Sequence, residues 1–497
     1  VLKSLIAKIR QVLYKMNLIK GVKSVSQVRD ISVSDEQYRQ IEVWKQLYQG
    51  YYSEFHDIQY QTVNGKKERR MNSLNMPKVI SQEMASLVFN EKCSINISDE
   101  TLAANIETVF KVNNFQREFQ RYLEYKFALG GIAIKGFVHG KDIKLSYVTA
   151  DCFIPLSWSN KEVTEGIFVN EFFKSDKKYT HLEWHVWEGQ TYVIRNELYE
   201  SQNKESLGVK ISLHSHFPEL QEEVAINGLK RSLFVYIKPN TANNVDLNSP
   251  LGVSLYANAL DTLKALDTAF DSFEREFRLG KKRILVPTNA IKTVVDPQTG
   301  IMQRYFDAND EVYEAFNFSE EMKQIQDIKV ELRVEEHIAA INALLTHLAM
   351  QVGFSAGTFT FDSAGLKTAT EVISENSKTF RTKTSHETTI EAGIQELINV
   401  VIEVAALYNI FPRPSKEYEV TVTFDDSITE DKTTNATYWT GLVINGLSSK
   451  KLAIMKIHGF TEEQAQKMLQ EIQEENKTML PEAVDLFGTS KPKEEDE

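Results

Sequence analysis

Asp425 and Asp426 form the most conspicuous carboxylate pair in this 497-residue sequence. Acid–base catalysis needs both groups on one reacting atom. Successive residues at a strand end point to opposite sides, so this pair reads as structural or capping. His181 and His185 stand four apart, which on a helix would suit a metal ion. Here Leu182, Trp184 and Val186 alternate with them as in a strand, where the two imidazoles share a face but lie roughly 13 Å apart, too far for one ion. Cys93 and Cys152 have neither metal-type spacing nor a partner histidine in a nucleophile signature. No serine is read as a hydrolase nucleophile, and the Gly-Lys-Ser/Thr ending of a nucleotide-binding loop is absent. Nothing argues positively for an enzyme, and no cofactor or metal is expected. The scattered carboxylates leave a metal-dependent nuclease as an alternative.

The elements around these residues describe a folded α+β protein. Hydrophobic residues make up 42% of the chain and aromatics 10%, enough for packed cores. The formal charge of −12, from 57 basic and 69 acidic side chains, repels polyanions at long range, so any contact with DNA is local or loose. Two widely separated cysteines make a disulfide framework improbable and fit a reducing compartment. No apolar run reaches the length of a membrane span.

Residues 1–20 place Leu2, Ile6, Ile9, Leu13 and Met16 on one helical face among Lys3, Lys8, Arg10, Lys15 and Lys20. That basic amphipathic helix packs on the protein or, in a second alternative, anchors a membrane-associated scaffold. Residues 35–240 combine helices over Asp35–Tyr52, Ser73–Glu91 and Phe115–Ala128 with a hairpin at Ile132–Val148 and strands over Gly166–Phe173, Tyr179–Trp187 and Thr191–Leu198.

The central stretch is the most regular. Ser249 and Pro250 mark the start of a helix running to Leu279, about 45 Å long. Leu255, Ala259, Leu263, Leu266, Phe270, Phe273 and Phe277 form a heptad-like seam, opposite a charged face that carries Asp267, Asp271 and Glu274. Residues 281–327 switch to short strands, and a second helix follows over Val330–Gln351. Two helices bracketing so short an insert should lie antiparallel, with the β unit at the tip needing neighbouring chains for stability. A loop from Gly353 to Gly365 follows. A capping box, Thr368 with Glu371, then opens a helix to about Tyr408, bent where Ser and Thr crowd its middle. Lys378, Arg381 and Lys383 lie there. A strand at Tyr418–Phe424, three helices from Thr429 to Asn476 and an acidic tail complete the chain.

Several segments resemble the portal proteins of tailed phages, of the siphophage type infecting Gram-positive bacteria. They are Asn75-Met-Pro-Lys-Val-Ile80, Glu83–Glu91, Ala128-Leu-Gly-Gly131, Tyr147–Pro155 and Gly365–Ser377, followed by the helices of Ser449–Gln470. The resemblance implies a homo-oligomeric ring, typically of twelve subunits, assembled in the host cytoplasm and placed at one capsid vertex of the virion. Its partners would be double-stranded DNA in transit without sequence specificity, the large terminase subunit, a head–tail connector, and the major capsid and scaffolding proteins, with no membrane. On this chain it implies a wing at 35–249, stem helices at 250–279 and 330–352, a clip at 280–329 and a tunnel loop at 353–366. A kinked helix and return strand at 367–427 and a crown at 428–476 follow, between an N-terminal segment 1–34 and a tail 477–497. Phe354, Ser355, Thr358, Phe359 and Thr360 would approach DNA from the loop, Asp267, Asp271 and Glu274 would face the channel from the stem, and Lys378, Arg381 and Lys383 are candidates on the kinked helix.

Overall fold

The structure, a computed structural model, describes residues 35–62, 65–203, 206–280, five short strands between 283 and 328, 331–361, 377–424, 432–458, 460 and 462–479. The basic helix at 1–20, the capping box at 368–371, the Asp425–Asp426 pair and the tail from 480 onward lie outside the described residues. Mixed helix and sheet, 47% helical and 25% strand, make the protein α+β. Two units are present, the first holding helices α1–α7 with all the strands and the second helices α8–α10.

In the first unit α1 (Asp35–Tyr48) buries Tyr38, Ile41, Trp44 and Leu47, the spacing of one helical face. Strands β1 (Asp57–Thr62) and β2 (Gly65–Arg70) pair as an isolated hairpin. Helix α2 (Met76–Val88) carries Pro77 in its first turn, where no N–H is needed. After β3 (Ser94–Ile97), α3 (Glu100–Val112) is capped by Asp99, whose carboxylate accepts from the Leu102 N–H at 2.8 Å. Helix α4 (Phe115–Leu129) ends at Gly130, which takes φ of +88°. The hairpin β4 (Ile132–His139) and β5 (Asp142–Thr149) follows as the sequence predicts.

The antiparallel meander β6 (Phe153–Ser159), β7 (Glu162–Lys174), β8 (Lys177–Glu188), β9 (Thr191–Ser201) and β10 (Val209–Ile211) forms the largest sheet, with β11 (Glu223–Asn227) also paired to β9. Strand β12 (Phe234–Ile237) joins β4 on the side away from β5.

Residues 250–256 are not the first turns of the long helix. Gly252 lies against Gly130 so closely that a Cβ on either would fall 2.2–2.6 Å from the other's carbonyl oxygen. The Leu255 N–H and the Ser254 hydroxyl both donate to the Phe127 carbonyl, at 3.0 and 3.3 Å. Ser249 accepts from Leu251 N–H instead of capping a helix. Packing against α4 thus outcompetes the local helix signal. Helix α5 is Leu260–Leu279, 20 residues and about 30 Å. Five strands, β13 (Arg283–Pro287), β14 (Val294–Val295), β15 (Met302–Gln303), β16 (Tyr313–Phe316) and β17 (Gln326–Ile328), lead to α6 (Val334–Gln351). Strand β13 pairs with β16 in parallel and with β17 antiparallel, so the insert leaves and returns on neighbouring strands. Helix α7 (Ser377–Leu407) crosses β12 and β4 and buries Ile390, Ile394, Leu397 and Val401. Strand β18 (Val420–Thr423) then pairs with β3 from far earlier in the chain.

The second unit is three helices, α8 (Lys432–Ile444), α9 (Lys450–His458) and α10 (Glu462–Met479).

Candidate functional site

The two long helices α5 and α6 pack on each other. Arg333 and His337 at the start of α6 meet Glu276 near the end of α5, while the far end of α6 reaches the Ala257–Ala259 turn, so the pair is antiparallel. Arg333 donates to both Glu276 carboxylate oxygens, at 3.1 and 2.9 Å, and these bonds bring the Glu276 pKa down to about 2. Phe273 lies edge-on to Phe277 with centroids 5.0 Å apart and stands 5.6 Å from His337. Beyond that point the apolar seam opens to solvent: Phe277, Leu279 and Leu332 are 44%, 54% and 38% exposed.

In the middle of α5, Asp267 and Asp271, expected to face the channel from the stem, are buried within the chain. Asp267 accepts from the Ser73 hydroxyl and the Leu74 N–H at 2.9 Å each, with His56 Nε2 at 3.1 Å. Asp271 accepts both terminal nitrogens of Arg69, at 2.7 and 2.5 Å, and the Asn72 N–H at 3.1 Å. The Arg69 guanidinium holds the Asp271 carboxyl below the ordinary range. Residues 267 and 271 share a helical stripe, but a polar stripe does not reveal whether its partner is water or a segment two hundred residues away. Glu274 is half-buried.

The loop after α6 divides likewise. Phe354 and Ser355 are buried, against the expectation that they approach a ligand. Phe354 packs 5.0 Å from Phe359, the Ser355 N–H donates to Thr379 Oγ1 at 2.8 Å, and Ser355 Oγ accepts from the Thr379 N–H at 3.2 Å. Thr358 is exposed, Phe359 and Thr360 are half-buried, and Phe361 is 61% exposed. Residues 362–366 lie outside the described residues.

On α7, Lys378 donates to the Met350 carbonyl, Arg381 is exposed, and Lys383 is buried against Glu387 at 2.7 Å. Lys383 therefore cannot reach a ligand at the surface as expected of it. His386 is buried beside Phe127, and its Nδ1 accepts from the Asn240 N–H at 3.1 Å.

Residues 29–478 match the family described as phage portal protein, SPP1 Gp6-like. The chain belongs to that phage portal protein family. No curated protein matches it. As a phage portal protein it takes its place at a capsid vertex and in DNA packaging, within a structural family.

The catalytic candidates have other work in this portal protein. Gly353-Phe-Ser-Ala-Gly357 carries Gly-x-Ser-x-Gly spacing. It follows a helix and not a strand, and the Ser355 hydroxyl is bonded to Thr379, so it lacks the strand–turn–helix setting of a nucleophile elbow. His181 and His185 lie on β8: His181 Nε2 is 3.0 Å from Asn196 Oδ1, while His185 bridges Glu183 and the Tyr192 hydroxyl at 2.8 and 2.7 Å. Burial lowers both imidazole pKa values. Cys93 and Cys152 are not joined in a disulfide, and burial pushes the Cys152 thiol up to about 12, away from nucleophilic chemistry. Among the described residues no group of three or more His, Cys, Asp and Glu is placed to hold a metal ion, and no helix is long and apolar enough to cross a membrane. One group without a sequence signal is Lys126, wholly buried on α4, without a hydrogen-bond partner among the described residues and 4.4 Å from the Phe127 ring. Burial brings its pKa down to about 7, and burial followed by the Lys126 charge brings His386 down to about 3.

Proposed function

We propose that this chain is one subunit of a closed ring through which double-stranded DNA enters and leaves a phage head. The observation that carries the reading is the α5–α6 stalk, whose seam is complete where it joins the wing and incomplete at its tip. Exposed Phe277, Leu279 and Leu332 beside a small β insert are what a neighbouring copy would cover. In this reading 35–249 is a wing, α5 and α6 the stem, 280–329 a clip that docks the terminase large subunit and later the head–tail connector, and 353–366 a tunnel loop. Helix α7 returns to the wing, and α8–α10 form a crown. Capsid and scaffolding proteins contact the outside of the assembly, which forms in the host cytoplasm, and twelve is the expected subunit number.

The chain's net charge of −12 suits a conduit, because duplex DNA carries a charge about every 1.7 Å and a strongly basic wall would hold it. Of Asp267, Asp271 and Glu274, only Glu274 remains a candidate for that wall. In the loop Thr358, Phe359 and Thr360 keep the role, joined by Phe361. The motor energy comes from a separate ATPase, since the chain has no nucleotide-binding loop. Negative-stain imaging of the purified protein tests the reading: rings with a central opening support it, and compact particles with no opening overturn it.

A further inference from the structure

Helix α7 presents Lys378, Arg381, Thr382 and Ser385, with 378/381 and 382/385 three apart and 378/382 and 381/385 four apart, which is one helical face. With Asn240 and His386 they line a cavity of about 450 Å³. Among the described residues no acidic side chain lines it, although acids outnumber bases 69 to 57 in the chain. The cavity is built and not merely a surface accident. Asn240 Nδ2 donates to the Ser385 hydroxyl and to the Ser385 carbonyl, both at 2.9 Å, and the Asn240 N–H donates to His386 Nδ1, which pins the 239–243 loop to the helix.

The hydrogen-bond inventory determines what the cavity can take. Because the Ser385 oxygen already accepts from Asn240, its own proton is left to donate. Lys378 uses one ammonium proton on Met350, leaving two. Arg381 reaches only the Ser377 carbonyl of its own helix among the described residues, through Nε at 3.4 Å, so the outer edge of its guanidinium is available. Two cations one turn apart and two hydroxyls on the same face match the tetrahedral, multiply accepting oxygens of a phosphate group.

We propose that this cavity is a phosphate-binding site, with Arg381 and Lys378 as the charged ligands and Thr382 and Ser385 as hydroxyl donors. The phosphate comes from the backbone of DNA held by the portal or from free phosphate. The DNA source rests on the proposed ring. A single site of this kind per subunit would grip a duplex lightly and without regard to base sequence.

Two titrations on the full-length protein test it. Inorganic phosphate is titrated calorimetrically against chloride at matched ionic strength, and a short labelled duplex of mixed sequence is followed by fluorescence anisotropy over a range of salt. The variant Lys378→Gln/Arg381→Gln should lose phosphate binding, or weaken duplex binding about tenfold at low salt and lower the salt dependence in proportion to the phosphates released. A control with the same charge change, Lys141→Gln/Lys174→Gln, should stay within about twofold of the native protein. Since Lys378 also braces Met350, Arg381→Gln alone is the second variant, and it should give a smaller loss in the same direction. Loss of phosphate binding with the duplex untouched supports the site and identifies free phosphate as its ligand; loss on the duplex alone identifies DNA. Particles from the same preparations are imaged. Rings that form normally but show neither effect overturn the site while the ring stands, and phosphate binding by protein that makes no ring upholds the site alone.

Discussion

The two ends of helix α5 treat the same kinds of residue in opposite ways. Near the wing, Leu263 and Leu266 are covered, and Asp267 and Asp271 are buried with every carboxylate oxygen bonded to the 56–74 segment. At the tip, Phe277 and Leu279 face solvent and the half-buried Glu276 pairs with the exposed Arg333. The first end is finished within the chain, whereas the second leaves apolar side chains uncovered. The α8–α10 unit repeats the second pattern: Ile444 and Leu447 are 77% and 75% exposed, while Ala453 and Ala465 are buried. In the proposed ring the covered stretch would set the stalk's direction and the open faces would meet neighbouring copies.

Breaking the finished end should have the largest effect. Asp267→Ala leaves His56, Ser73 and the Leu74 N–H without their acceptor in a buried place, at a cost on the order of 3 kcal/mol or more. Denaturant unfolding checks this, and a loss under about 1 kcal/mol would show that water had replaced the carboxylate. Lys126→Met should act in the opposite direction. The folded-state pKa of Lys126, about 7 against an ordinary 10.5, means that the unfolded chain binds a proton the folded chain lacks between those values. The native protein should therefore gain stability as pH rises through that window, by about 1.4 kcal/mol per unit at most from this group. The methionine variant should be the more stable at pH 7 and lose that part of the slope; an unchanged slope would place the ammonium in contact with water. At the unfinished end, Phe277→Ser/Leu279→Ser should shift the unfolding of the isolated subunit by no more than about 0.5 kcal/mol while abolishing assembly, as read by sedimentation. Arg333→Gln should have the smallest effect, a change in melting temperature close to the precision of calorimetry, because the Arg333 side chain is two-thirds exposed.

Much of this contrast was legible in the sequence because it is periodic. The spacings of three and four in α5 and α6, the Gly130 stop after α4 and the alternation along β7, β8 and β9 each report local geometry, and the elements lie where those patterns put them. The start of α5 was not legible: Ser249-Pro250 is a sound local cap, overruled by the close approach of Gly252 to Gly130. Pairing of β3 with β18 joins residues more than three hundred positions apart, and no local pattern announces it. The same limit governed the site residues. Composition marked Asp267, Asp271, Phe354 and Lys383 as charged or aromatic residues on named elements, but the partners that bury them, Arg69, Ser73, Phe359 and Glu387, are a matter of tertiary contact.

The central claim is that the stalk tip is completed by neighbouring copies. Mass photometry of the native protein and of Phe277→Ser/Leu279→Ser over a range of concentrations tests it most directly. The account predicts a single large closed species for the native chain and dissociation to small species for the variant, with the folded subunit intact. A native protein that stays monomeric at every concentration, or a variant that assembles as the native chain does, would contradict it.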